Sequence, residues 1–174
     1  MDVIDVIRTR RSIRRFRPGE IPDEDIVKIL DAARWAPSGG NRQPLSYIYV
    51  KDPQVLRMVK NCSPGFYGDA YSAIVIGTQE KPGFIEFLDA GFAAENILLA
   101  AHSLGIGSCA IASFNREAIR KILNAPEDWE PILLVSLGYP DRVPSPPARK
   151  PLSEVVYLNS FGNRWKRLEV VEVG

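Results

Sequence analysis

Histidine and cysteine are nearly absent from this chain. Its 174 residues include one histidine, His102, and two cysteines, Cys62 and Cys109. The cysteines lie far apart, form no C-x-x-C and have no metal-ligand spacing. One histidine and scattered carboxylates give no ligand set, so no metal is expected. A Ser-His-Asp or Cys-His relay needs an exposed histidine beside a nucleophile. His102 instead falls within a long apolar helical run and reads as a packed or interface residue. Extended apolar stretches are also missing. No run of about 18 or more uncharged apolar residues occurs, so no transmembrane helix is expected. The opening Met1-Asp2-Val3-Ile4-Asp5 has no charged-then-apolar leader pattern. Charge of one sign is not in excess either: 22 basic residues stand against 21 acidic ones, for a net charge of +1. That balance argues against a nucleic-acid or membrane-surface partner. There is no P-loop signature. Gly105-Ile106-Gly107 follows a helix and precedes a strand, the reverse of a dinucleotide fingerprint, so it reads as a helix stop and turn. The expectation is a reduced, cytoplasmic protein.

The residues that are present describe an ordinary globular domain, with 45% hydrophobic and 25% charged residues. Helical periodicity covers residues 2–9. A second helix starts after Pro22, with acids in its first turn where the helix dipole favours them. It carries an apolar stripe of Ile26, Val27, Ile29, Leu30, Ala33 and Ala36, and stops at Pro37-Ser38-Gly39-Gly40. Ser46–Val50 and Ala73–Gly77 read as strands, with a short helix from Asp52-Pro53 to about Lys60 between them. Residues 84–104 form the longest helix, apolar nearly all round, which calls for burial on most faces and suggests a partner subunit. Ser108–Ala112 reads as a strand, Asn115–Leu123 as a capped helix and Pro131–Leu137 as a strand. Glu154–Leu158 reads as an edge strand, and 159–174 as an apolar tail that packs on something.

Three segments carry chemistry. Arg10-Arg11-Ser12-Ile13-Arg14-Arg15-Phe16 offers forked guanidinium donors and a hydroxyl, which suit a phosphate. On charge alone, a solvated basic turn is an equal reading. Ala36-Pro37-Ser38-Gly39-Gly40-Asn41-Arg42-Gln43-Pro44 lets backbone approach a flat ligand and supplies small polar groups; an ordinary surface loop has the same composition. Asp89–Ser108, running into Cys109-Ala110-Ile111-Ala112-Ser113, reads alone as a buried helix followed by a strand.

In this order, together with Arg149–Val156, these segments resemble the nitroreductase family of flavoproteins over residues 1–158. The resemblance implies an α+β (α/β/α) sandwich with a mostly antiparallel central sheet. A long buried helix would lie at a homodimer interface, and the tail 159–174 would pack on the partner subunit. It implies FMN as cofactor, NAD(P)H as electron donor, and a small acceptor such as a nitroaromatic or quinone. Arg10, Arg11 and Ser12 would hold the phosphate and ribityl chain, with Arg149 adding a phosphate contact. Arg14 would sit near N1 and O2 of the ring. Pro37, Ser38, Gly39 and Asn41 would come from the other subunit. Ala110, Ile111, Ala112 and Ser113 would line the ring, with the Ala112 N–H directed at N5. The short Lys81-Pro82-Gly83 link should leave the flavin open, with Phe66, Tyr67, Tyr71 and Phe84 as wall or core residues. The other activities the resemblance allows are FMN handling without turnover and flavin-dependent dehydrogenation or dehalogenation.

Overall fold

In a computed structural model of the chain, residues 2–79 and 81–165 are described. The chain divides into two compact units, Met1–Pro144 and Ser145–Gly174.

The first unit is a sheet faced by helices on both sides. Its elements are α1 (Val3–Thr9), β1 (Phe16–Arg17), α2 (Asp23–Arg34), β2 (Leu45–Val50), α3 (Pro53–Asn61), β3 (Ser72–Gln79), α4 (Phe84–Ser103), β4 (Gly107–Ile111), α5 (Arg116–Ile122) and β5 (Trp129–Pro140). Caps set several of the boundaries. The Asp52 carboxylate accepts from the N–H groups of Gln54 and Val55, both at 2.9 Å, and Pro53 supplies a preset first turn. The Asn115 side chain accepts from the Ala118 N–H at 3.0 Å and starts α5. Asp23, Glu24 and Asp25 fill the first turn of α2.

Every strand pairing is antiparallel. β5 lies between β3 on one side and β4 and β1 on the other, and β2 closes the β3 edge. The two-residue β1 carries no periodic signal, and sequence patterning gives no hint of it. Strand alternation divides the core in two. Ile74 and Ile76 of β3 pack with Ile26, Ile29 and Ala33 of α2 and with Ala94, Ile97 and Ala101 of α4. Ala73 and Val75 point the other way, toward Leu56 and Val59 of α3 and Ile119 of α5. This is the expected α+β sandwich.

The long helix α4 spans the predicted range, yet within one chain it is buried along one side only. Asp89, Ala90, Ala93, Ala94, Ile97, Leu98 and Ala101 are buried. Phe84, Leu88 and Phe92, at every fourth position, are exposed, as are Val3, Ile4 and Ile7 of α1. Among the described residues, no helix is long and apolar enough to cross a membrane.

In the second unit the sequence expectation fails at Glu154–Leu158. Residues Leu152–Val155 form a one-turn helix, α6, after Pro151, closed by the Val156 N–H donating to the Leu152 carbonyl at 2.9 Å. Of the expected strand only Tyr157 pairs, in an isolated bridge with Arg164. β-forming side chains favour a strand only beside a partner strand, and the preset dihedral of Pro151 favours a helical start. The Tyr157 and Phe161 rings pack at 4.6 Å between centroids. Of the predicted tail, residues 166–174 lie outside the described residues.

Candidate cofactor site

The basic segment leaves the end of α1 and runs along the free edge of β4. The Ile13 N–H donates to the Ser108 carbonyl at 2.9 Å, and Ser12 and Ser108 form a parallel bridge. Gly107 makes this approach possible, since a Cβ there would lie 2.9–3.0 Å from Ile13. The Arg10–Arg14 run and the Ala110–Ser113 run, a hundred positions apart in sequence, are thus anchored on one strand.

Arg10 and Arg11 are half-buried. Arg11 Nη1 donates to the carbonyls of Arg8 and Arg10, both at 2.7 Å, and so caps the end of α1. Arg10 Nε lies 3.5 Å from the Glu95 carboxylate of α4. Even so, Arg10 Nε and Arg11 Nε are buried and have no hydrogen-bond acceptor among the described residues. Arg14 is exposed.

Past the edge of β4 the chain alternates. Cys109 and Ile111 are buried, while Ala110, Ala112 and Ser113 are exposed. The Ile111 side chain belongs to the core, so only its backbone faces the site. An open depression of about 640 Å³ lies here, lined by Asn61, Cys62, Pro64, Ala112, Ser113 and Asn115. Its size falls within the range of small-molecule sites.

The loop at residues 61–72 has no motif, yet it forms a wall. The Asn115 N–H donates to the Cys62 carbonyl at 2.9 Å. A Cβ on Gly65 would meet Ser113 Oγ at 2.6 Å. Gly68 adopts φ +74°, and a Cβ there would lie 2.4 Å from the Arg14 carbonyl oxygen. Two of the proposed aromatic wall residues divide here: Phe66 is core and Tyr67 is exposed. Tyr71 is half-buried against the core, and Phe84 is exposed at the start of α4.

The Pro37–Asn41 segment sits elsewhere. The Gly39 N–H faces the buried Asp89 carboxylate at 3.2 and 3.4 Å, and the Gln43 N–H donates to Ser38 Oγ at 3.0 Å. Arg42 donates to Glu86 at 2.9 Å. Asn41, at φ 54°, is exposed beside Gly40. Glu86 and Glu95 are nine residues apart on α4, or two and a half turns. They therefore lie on opposite faces and about 14 Å apart along the axis. Within one chain the arginine segment and the Pro37–Asn41 loop are held on different faces of the same helix.

His102 is half-buried, with Nε2 at 2.8 Å from Thr9 Oγ1. Arg149 falls in the second unit, where it is exposed and Nη1 lies 3.5 Å from the Ala148 carbonyl. Among the described residues no three His, Cys, Asp or Glu side chains are grouped to hold a metal.

These features define an α+β sandwich with a cationic cradle along one edge of its sheet. The nitroreductase family model matches residues 7–64 and 54–139, and the chain belongs to that family. It is 43% identical over 152 residues to a candidate NADH dehydrogenase/NAD(P)H nitroreductase of Archaeoglobus fulgidus, covering 80% of this chain and 86% of that protein. An FMN-dependent nitroreductase structure from Clostridium difficile is 31% identical with a TM-score of 0.83, covering 91% of this chain and 99% of that one. A candidate nitroreductase of Desulfovibrio desulfuricans, solved in complex with FMN, is 29% identical with a TM-score of 0.82, over 92% and 98% of the two chains.

Proposed function

We propose that this chain is an FMN-dependent oxidoreductase that takes hydride from NAD(P)H and delivers it to a small acceptor such as a nitroaromatic or quinone. The observation that carries the reading is the pair of buried guanidinium nitrogens at the β4 edge, Arg10 Nε and Arg11 Nε: neither makes a hydrogen bond among the described residues, and the Glu95 carboxylate reaches Arg10 Nε only at 3.5 Å. A buried donor left unpaired costs about 1–3 kcal/mol, more when charged. A phosphate offers several anionic oxygens and removes both penalties at once. Ser12 adds a hydroxyl.

Bound there, FMN supplies two-electron redox chemistry, with hydride entering and leaving at N5. The protein's part is positioning and electrostatics. Arg14 would place a fixed cation near the N1–O2 edge of the ring, where negative charge gathers on reduction, as an oxyanion donor does. Gly68, pressed on the Arg14 carbonyl, fixes the backbone that carries this cation. Ala112 lies just past Ile111, the last paired residue of β4, and its N–H would be directed at N5. Ala110 and Ser113 line the ring beside it.

The site is completed by a second copy of the chain. The Pro37–Asn41 loop is tied to α4 near its start, through the Gly39 N–H on Asp89 and Arg42 on Glu86, away from Glu95, so the cradle needs the partner's loop rather than its own. The exposed row of Phe84, Leu88 and Phe92 supports the same reading. So does Gly91, above which a Cβ would meet nothing within 4 Å. A glycine inside a helix costs about 1 kcal/mol relative to alanine, and a close partner helix gives it a purpose.

The test is the absorption spectrum of the purified protein, followed by anaerobic titration with NADH and NADPH. A flavin spectrum bleached by a nicotinamide and restored by a nitroaromatic or quinone is expected. A colourless protein that takes up no FMN and sediments as a single chain would overturn the reading. Tight FMN binding without bleaching would leave the cofactor and remove the activity.

A further inference from the structure

The one histidine has no task in the reading above, yet it is fastened to the residue that precedes the cradle. His102, near the end of α4, places Nε2 at 2.8 Å from Thr9 Oγ1, the last residue of α1. The Thr9 hydroxyl has one hydrogen, and it donates it to the Asp5 carbonyl at 2.6 Å. It can therefore only accept from the ring. His102 carries a proton on Nε2, and Nδ1 is the nitrogen left to titrate.

The charges around the ring are one-sided. Burial first, then Arg10 and Arg11, lower the His102 pKa from its ordinary 6.5. The other charges on the elements at this seam are largely engaged. Asp5 and Arg8 lie on α1, and Glu95 on α4 is held by Arg10. On α2, which packs on α4, Asp25 is held by Lys28 and Asp31 by Arg34. On β5, Glu130 is held by Arg120, and β4 brings only the buried Cys109.

We propose that His102 is a positioning residue for the phosphate subsite, and that an anion held by Arg10 and Arg11 binds together with a proton on His102 Nδ1. The proposal rests on the flavin reading. Through Thr9, the ring ties the end of α1 to α4 where the cradle begins. A phosphate beside the two guanidiniums cancels their repulsion of an imidazolium, so the pKa of the histidine rises on binding. By linkage, this adds to FMN affinity as pH falls, fully so below the free-state pKa, and the addition is lost as pH rises through the bound-state pKa. The second ionisation of the phosphate itself, near pH ~6, works in the opposite direction. The histidine must therefore be read directly.

Because the chain has one histidine, its ring resonances are unambiguous by NMR in the full-length protein. His102 is titrated free, with FMN, and with riboflavin, which has the same ring and no phosphate. FMN is expected to raise the pKa by about one unit, and riboflavin to leave it near the free value. His102→Gln keeps a donor for Thr9 but takes up no proton. The ratio of wild-type to variant FMN affinity is expected to rise about tenfold between the high-pH and low-pH limits. If FMN binds and the pKa stays put, or riboflavin moves it equally, the inference is overturned while the flavin reading stands. If neither flavin binds at any pH, both are overturned.

Discussion

Gly68→Ala tests whether the unremarkable loop after α3 holds the site in shape. At φ +74° an alanine pays the left-handed penalty of about 1–2 kcal/mol. Its Cβ would also stand 2.4 Å from the Arg14 carbonyl oxygen, where ordinary contact begins at 3.4 Å. The Arg14 backbone must therefore retreat by about 1 Å or the loop must lift, and overpacking of this kind costs a further ~1–3 kcal/mol. The sum is about 2–5 kcal/mol, and for a chain of this size each kcal/mol lowers Tm by about 2–4 °C. Gly105→Ala is the matched control: its φ is +75°, and a Cβ there meets nothing within 4 Å. The difference between the two variants isolates the collision with Arg14. Urea denaturation and FMN titration on both proteins measure it. Gly68→Ala is expected to be the less stable by about 1–3 kcal/mol and the weaker FMN binder. Equal stability and equal affinity in the two variants would refute the claim that Gly68 sets the Arg14 backbone.

Three further outcomes are expected. Arg14→Ala removes a cation from the reduced-flavin edge, so the two-electron midpoint potential should fall by about 30 mV, or ~1.4 kcal/mol, with little change in the urea midpoint; an unmoved potential counts against the role. Gly91→Leu fills open space on a lone chain but would collide with a helix of the proposed partner, so sedimentation should show the parent as a dimer and the variant as single subunits at the same concentration. Glu86 is held below its ordinary pKa of 4.5 by the N–H groups of its own residue and of Gly83, with Arg42 adding to them. Its folded-state pKa is thus the lower one, and the stabilisation is present above pH 4.5 and lost as pH falls through the folded value. Glu86→Gln should flatten that acid limb of the stability curve, and a profile that still matches the parent there would exclude the assignment.

Most of the architecture could be read from the chain because local chemistry agreed with the final packing. Asp52-Pro53 and Asn115 start helices by capping, and the Ile74/Ile76 against Ala73/Val75 alternation shows a strand covered on both faces. β1 escaped because two residues have no period. Glu154–Leu158 misled because Val155, Val156 and Tyr157 favour strands, while Pro151 and the lack of a neighbouring strand among the unit's described residues decided otherwise. The arginine segment stood out by charge density, but not that one Arg11 nitrogen is spent capping α1. The 61–72 loop was illegible for a different reason: Gly68 acts on Arg14, 54 positions earlier. A contact of that range leaves no trace in composition, and only the positive φ, itself invisible in sequence, marks it.

The proposed sharing of each site between the arginines of one chain and the Pro37–Asn41 loop of its partner has a genetic consequence. A chain crippled in Arg10 and Arg11 still has a sound Pro37–Asn41 loop, and a chain crippled in that loop still has sound arginines. Coexpressed, the two inactive alleles should rescue one another, since a mixed pair contains one site made entirely of intact halves and one made entirely of broken ones. Either allele alone can build no intact site at all.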